Sequence, residues 1–124
     1  MNMNVTFDSS AWIEYFSGSE LGQIARSYVD GEHEIYTSSI SLMEIKSKYQ
    51  RENMPWNDRI KFIIERSSIV EIDDTLALAA ADFRTSSGLH SIDAIIFATS
   101  TLTKSRLVTK DGHFKDMKNV IMLG

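Results

Sequence analysis

Four acidic residues of this chain, Asp8, Glu44, Asp93 and Asp111, sit against or inside apolar runs. The runs are Val5-Thr6-Phe7-Asp8, Ile40-Ser41-Leu42-Met43-Glu44-Ile45, Ile92-Asp93-Ala94-Ile95-Ile96-Phe97 and Leu107-Val108-Thr109-Lys110-Asp111. A carboxylate is costly to bury unless a partner or a metal compensates it. Four of them, each at the end of an expected strand or on an apolar helix, point to one carboxylate cluster. With no obvious protein cation to neutralise it, that cluster calls for a divalent cation. The chain has no cysteine, and its three histidines, His33, His90 and His113, are too scattered to form a ligand set. Carboxylates alone select a hard cation, Mg2+ or Mn2+ over Zn2+. Such an ion activates water and polarises a phosphoryl oxygen, so the natural reaction is phosphodiester hydrolysis. Ser9 and Thr109 are short hydroxyl residues beside the acids, suited to hydrogen-bonding the ligands from behind.

The elements that must position these residues alternate. Asn4–Phe7 reads as a strand ending at Asp8. Ser9-Ser10 can cap a helix with the apolar face Ala11, Trp12, Tyr15 and Phe16, broken at Ser17-Gly18-Ser19. A second helix is expected over Glu20–Val29 and a second strand over Glu34–Thr37. Ser38-Ser39 can cap a long helix to Glu52 that carries Glu44. Pro55, the single proline, suits the first turn of a helix with Trp56, Ile60, Phe62, Ile63 and Ile64. Ser68–Ile72 is a third strand, and Asp73 or Asp74 caps a helix over Leu76–Arg84 that ends by Gly88. Ser91 is the expected cap of a helix over Ile92–Thr103, with Asp93 in its first turn. Arg106–Thr109 is a fourth strand and Val120–Leu123 a fifth. Strands separated by helices predict an α/β fold with a parallel sheet of about five short strands. In such sheets ligands bind at the carboxyl ends of the strands, where strand order reverses. If strands one and four are neighbours there, Asp8 and Asp111 meet. Asp93 reaches the same edge from its first helical turn, where the helix dipole favours its charge. Glu44 points back towards that edge from its own helix.

Composition sets the outer limits. The 124 residues suit one domain with one core, and 43% hydrophobic with 24% charged residues is ordinary for a globular protein. No apolar stretch approaches a membrane span, no basic amino-terminal leader is present, and the lack of cysteine agrees with a cytoplasmic location. Net charge is −4, unevenly spread: residues 1–45 carry seven acids against Arg26 alone. Residues 104–118 carry Lys104, Arg106, Lys110, Lys115 and Lys118 against Asp111 and Asp116. A basic segment beside an acidic cluster could hold a phosphate backbone; taken alone, the run is more simply a solvated face.

Phe7-Asp8-Ser9-Ser10-Ala11-Trp12-Ile13, Ser41-Leu42-Met43-Glu44, Ser91-Ile92-Asp93-Ala94-Ile95-Ile96 and Leu107-Val108-Thr109-Lys110-Asp111-Gly112-His113-Phe114 carry a resemblance. In order, spacing and total length they resemble the PIN-domain family, in particular its small single-domain members, the VapC-type toxins of type II toxin–antitoxin pairs. The resemblance covers essentially the whole chain. It implies a three-layer α/β/α sandwich, Mg2+ or Mn2+ dependence and cleavage of RNA. It also implies a homodimer and an antitoxin partner that blocks the site. Asp8, Glu44, Asp93 and Asp111 match the family's acidic positions one by one, as catalytic and metal-binding residues. Some members carry a further acid shortly after the last, and Asp116 is the candidate here.

Each residue also has an ordinary role to set against this. Asp8 can cap a helix, Asp93 can complement a helix dipole, Asp111 can belong to an Asp-Gly turn, and Lys48 can pair with Glu44 at i+4. Trp12, Tyr15 and Phe16 fit a core better than a docking groove. Lys46, Lys48 and Arg51 on the Glu44 helix can steer RNA or simply face solvent. Two other function classes compete. A receiver-like signalling module would use Lys110 after a late strand, but Ser9-Ser10 stands where it needs a second acid. A dehalogenase-type phosphatase needs an acid where Ser10 stands. A PIN fold that only binds would leave the full acid set unused.

Overall fold

The computed structural model describes residues 3–124. Strands β1 (Val5–Phe7), β2 (Ile35–Ser38), β3 (Ser68–Val70), β4 (Arg106–Thr109) and β5 (Val120–Met122) form one parallel sheet in the order β3-β2-β1-β4-β5. Helices α1 (Ser9–Ser17), α2 (Gly22–Asp30), α3 (Ser39–Arg51), α4 (Asn57–Arg66), α5 (Asp74–Ser87) and α6 (Ser91–Leu102) run between the strands. A single 3₁₀ turn over Gly112–Phe114 follows β4.

Side chains alternate across each strand, so a strand feeds both faces of the sheet. On β4, Val108 joins Val5, Phe7, Trp12, Ile35, Ile45 and Ile63 in one core. Leu107 faces the other way, into a core with Leu76, Ala94, Phe97 and Phe114. The sheet is therefore the middle layer of an α/β/α sandwich, the architecture that the family resemblance implies. Trp12 is fully buried, donates its indole N–H to Thr37 Oγ1 at 3.0 Å and meets Phe7 edge-on at 4.8 Å between ring centres. It is a core residue.

Helix boundaries follow their caps. Asp8 itself, not Ser9 or Ser10, caps α1, accepting from the Ala11 N–H at 2.9 Å. Gly18 ends α1 with φ +69°, a conformation glycine takes without penalty. Gly22 opens α2 where a Cβ would fall 2.2 Å from the Glu14 carbonyl oxygen, so the two helix backbones touch. Helix α2 starts at Gly22 rather than at the expected Glu20, with the Gly22 N–H donated to the Ser19 hydroxyl at 3.1 Å. Ser38 caps α3 and Asp73 caps α5. The Ser91 cap is not formed: His90 occupies that position with no side-chain bond, and Ser91 is already helical. Pro55 also stands outside α4, which begins at Asn57; its carbonyl instead accepts from Arg59 Nη1 at 3.0 Å.

Topology decides between two of the competing classes. A receiver-type sheet has the order 2-1-3-4-5. Here β1 lies between β2 and β4, which removes the receiver-like reading. The same order puts the reversal point between β1 and β4.

Candidate metal centre

Pairing of Phe7 with Val108 sets β1 and β4 in register, so that Asp8 and Thr109 emerge together at the carboxyl edge of the sheet. Asp8 is 5% exposed. Its carboxylate accepts the Thr109 hydroxyl, the Ser10 hydroxyl at 2.7 Å and the Ala11 N–H at 2.9 Å. Burial outweighs these bonds and pushes the Asp8 carboxyl up from its ordinary value. Ser10 reaches across as well: it accepts the Lys110 N–H at 2.8 Å, tying α1 to the end of β4. Thr109 in turn accepts the Asp111 N–H at 2.9 Å.

Asp111 caps the 3₁₀ turn, accepting the His113 N–H at 2.9 Å. Asp93, in the first turn of α6, receives His113 Nδ1 at 2.9 Å; the same nitrogen lies 3.3 Å from Asp111. One ligand atom from each of Asp93, Asp111 and His113 falls within 4.8 Å of the others. Glu44 is half-buried and is held by the Ser9 hydroxyl at 3.3 Å. Burial raises its pKa first, and the charges of Asp8, Asp93 and Asp111 raise it further.

The structure thus brings all four sequence-predicted acids to one edge. Asp93 and Asp111 share a coordination-sized space, Asp8 lies buried behind, and Glu44 faces the group from α3. The lysine that would have explained Glu44 away is engaged elsewhere: Lys48 pairs with Glu52 at 2.8 Å. Of the two hydroxyls beside the acids, Thr109 donates to Asp8 and Ser9 to Glu44. Asp116 is exposed and lies outside the converging group.

Two residues make contacts that the sequence did not show. His113, exposed in the turn after β4, bridges Asp93 and Asp111, and its ring lies 6.0 Å from that of His90. Those carboxylates raise the His113 pKa, the Asp93 hydrogen bond most of all. Its position two residues beyond Asp111, in a turn, was the available signal. Ser10 looked like a helix cap and is a positioning residue for Asp8 instead. The basic run 104–118 is also divided. Lys104, just before β4, and Arg106, its first residue, lie at the opposite edge of the sheet, while Lys110 pairs with Glu14 at 2.7 Å.

Among the described residues no lysine or arginine pairs with any of the four acids. A buried carboxylate, three further acids and one imidazole are a donor set that fits a hard divalent cation.

The sequence pattern of the PIN domain matches residues 5–120. The chain belongs to the PIN domain family. No curated protein matches it. Solved structures share its PIN fold at low identity. A toxin–antitoxin complex from Klebsiella pneumoniae aligns with TM-score 0.80 and 24% identity, covering 97% of this chain and 98% of that one. VapBC2 from Rickettsia felis, bound to a promoter DNA fragment, aligns with TM-score 0.71 and 18% identity, covering 97% of each chain. VapC20 from Mycobacterium tuberculosis, a toxin that cleaves the sarcin-ricin loop, gives TM-score 0.71 and 16% identity over 94% of this chain and 96% of that one.

Proposed function

We propose that this PIN domain is a Mg2+- or Mn2+-dependent endoribonuclease, the toxin of a toxin–antitoxin pair. The observation that carries the reading is the convergence of Asp8, Glu44, Asp93 and Asp111 from four segments at the β1–β4 reversal point. Those four acids would hold the cation. When bound, it would supply Lewis acidity for phosphodiester hydrolysis. Thr109 and Ser10 fix the Asp8 carboxylate so that it needs no rearrangement to bind. Glu44, held by the Ser9 hydroxyl and facing the other three acids, would complete the surround of the cation or orient the attacking water beside it. A groove of about 310 Å³ runs from Glu44 past Ser9 to Lys48 and Arg51 on α3 and gives an RNA strand a path to the acids.

The similar solved structures support the remaining assignments: two are complexes of toxin with antitoxin, and a third is an RNA-loop-cleaving toxin. The partners proposed here are accordingly RNA, a cognate antitoxin and a second copy of the chain in a homodimer. No helix among the described residues is long and apolar enough to cross a membrane, which suits the cytoplasm as the place of action. The test is RNA cleavage in Mg2+ and in Mn2+ by the wild type and by folded Asp8→Asn and Asp93→Asn. Loss of cleavage in both variants is expected; undiminished cleavage would remove the assignment.

A further inference from the structure

The opposite edge of the sheet carries a feature that the nuclease reading does not use. A cavity of about 530 Å³ opens there, at the amino-terminal ends of the strands, and Lys104, Arg106 and Lys118 all line it. Among the described residues, no acidic side chain lines it. The three cations come from three segments: the residue following the α6 cap, the first residue of β4, and the loop before β5. None of them forms an ion pair among the described residues. In a chain with 17 acids and 13 bases this is an uncommon grouping, because like charges gather only against a cost. The dipole at the carboxyl end of α6 explains Lys104. It does not explain Arg106 or Lys118.

The backbone adds a second observation. Three non-glycine residues among those described have positive φ, and two of them, Lys104 at +53° and Asn119 at +60°, line this cavity. Asparagine tolerates that conformation, whereas lysine does so only with strain. Lys104 occupies the place after a helix cap where glycine is usual. A glycine there would relieve the strain and forfeit the cation. The lining hydroxyl of Ser100 is already spent on the Phe97 carbonyl at 2.9 Å, and the three cations line the cavity beside the neutral polar side chains of Asn4, Thr101 and Asn119.

We infer that this cavity is a binding site for a phosphoryl anion. Arginine offers a planar fork matched to phosphate oxygens, and the two lysines add point charges around it. The volume is that of a small-ligand site. The acids at the other edge take no part, so the site stands whether or not the chain cleaves RNA.

The test is an NMR titration of the full chain at constant ionic strength, with inorganic phosphate in one arm and adenosine 5′-monophosphate in the other. The expected result is saturable shifts at the Ser105, Arg106 and Asn119 amides. Lys104→Gly and Arg106→Gln should each weaken binding roughly tenfold, as removal of a charged hydrogen-bond donor does. Lys104→Gly should hold or raise the melting temperature, since it removes the positive-φ strain. Lys115→Gln, outside the cavity, should leave affinity unchanged. Tighter binding of the nucleotide identifies a nucleotide site, and equal binding a site for the phosphoryl group alone. Absence of saturable shifts with either probe, or equal weakening by Lys115→Gln, would overturn the inference.

Discussion

Thr109 donates its hydroxyl hydrogen to the Asp8 carboxylate across the β1–β4 junction, joining residues 101 apart in sequence. The same oxygen accepts the Asp111 N–H. One hydroxyl thus holds two of the four acids. Thr109→Val keeps the shape and removes both bonds, leaving a buried carboxylate short of a donor. The expected loss is roughly 1–3 kcal/mol of stability. Cleavage should fall at least about tenfold, the scale for a lost supporting bond behind a metal ligand. Thr109→Ser should retain most of both. Urea denaturation and single-turnover cleavage check the two effects.

The buried Asp8 charge predicts a pH signature. Its native pKa is raised above the ordinary 3.8, so the folded chain holds that proton more tightly than the unfolded one. The resulting stability is full below about 3.8 and is lost as pH rises through the native value. Asp8→Asn carries no such loss. In metal-free buffer the variant should therefore gain on the wild type by up to about 1.4 kcal/mol per pH unit across that window, then level off. Denaturation at a series of pH values with a chelator present measures the difference. A difference constant with pH would contradict the assigned burial of charge.

Divalent cation should reverse that order at neutral pH. A ligand at about 100 times its dissociation constant adds roughly 2.7 kcal/mol to the state that binds it. The wild type should accordingly melt several degrees higher in excess Mg2+ or Mn2+ than in chelator. Asp93→Asn, which removes an exposed-side ligand without touching the core, should show little of this shift. Thermal melts with and without the ion compare them directly.

Trp12 tests the core that carries the site. It is fully buried, bonded to Thr37 and stacked near Phe16 at 6.0 Å. Trp12→Ala should cost about 3–5 kcal/mol, whereas Leu78→Ala, at a site 70% exposed, should change stability by less than about 0.5 kcal/mol. Equilibrium unfolding of both variants checks the contrast.

The fold was legible in the sequence because the strands are short apolar runs, four of them closed by a polar residue, and the helices between them carry apolar stripes at helical spacing. Asp8, Glu44, Asp93 and Asp111 were legible because each stands where an apolar run makes a charge expensive. Boundaries slipped where the deciding contact is tertiary. Gly22, the first residue of α2, lies against the Glu14 carbonyl of α1, and no local pattern encodes that approach. Ser10 and His113 escaped for the same reason. Their partners, Lys110 and Asp93, are brought close only by the β1–β4 pairing and by the turn that folds His113 back onto α6. The basic run 104–118 misled because sequence proximity hid the length of β4, which puts Arg106 and Asp111 at opposite edges of the sheet.

The central claim is that the four carboxylates form one metal centre. Anomalous scattering from crystals soaked in Mn2+ tests it most directly. The account predicts a peak at the carboxyl edge of β1 and β4, about 2.0–2.6 Å from oxygens of Asp93 and Asp111, with Asp8 and Glu44 completing the surround directly or through water. No peak at that edge under saturating Mn2+, or a peak only at unrelated surface acids, would contradict it.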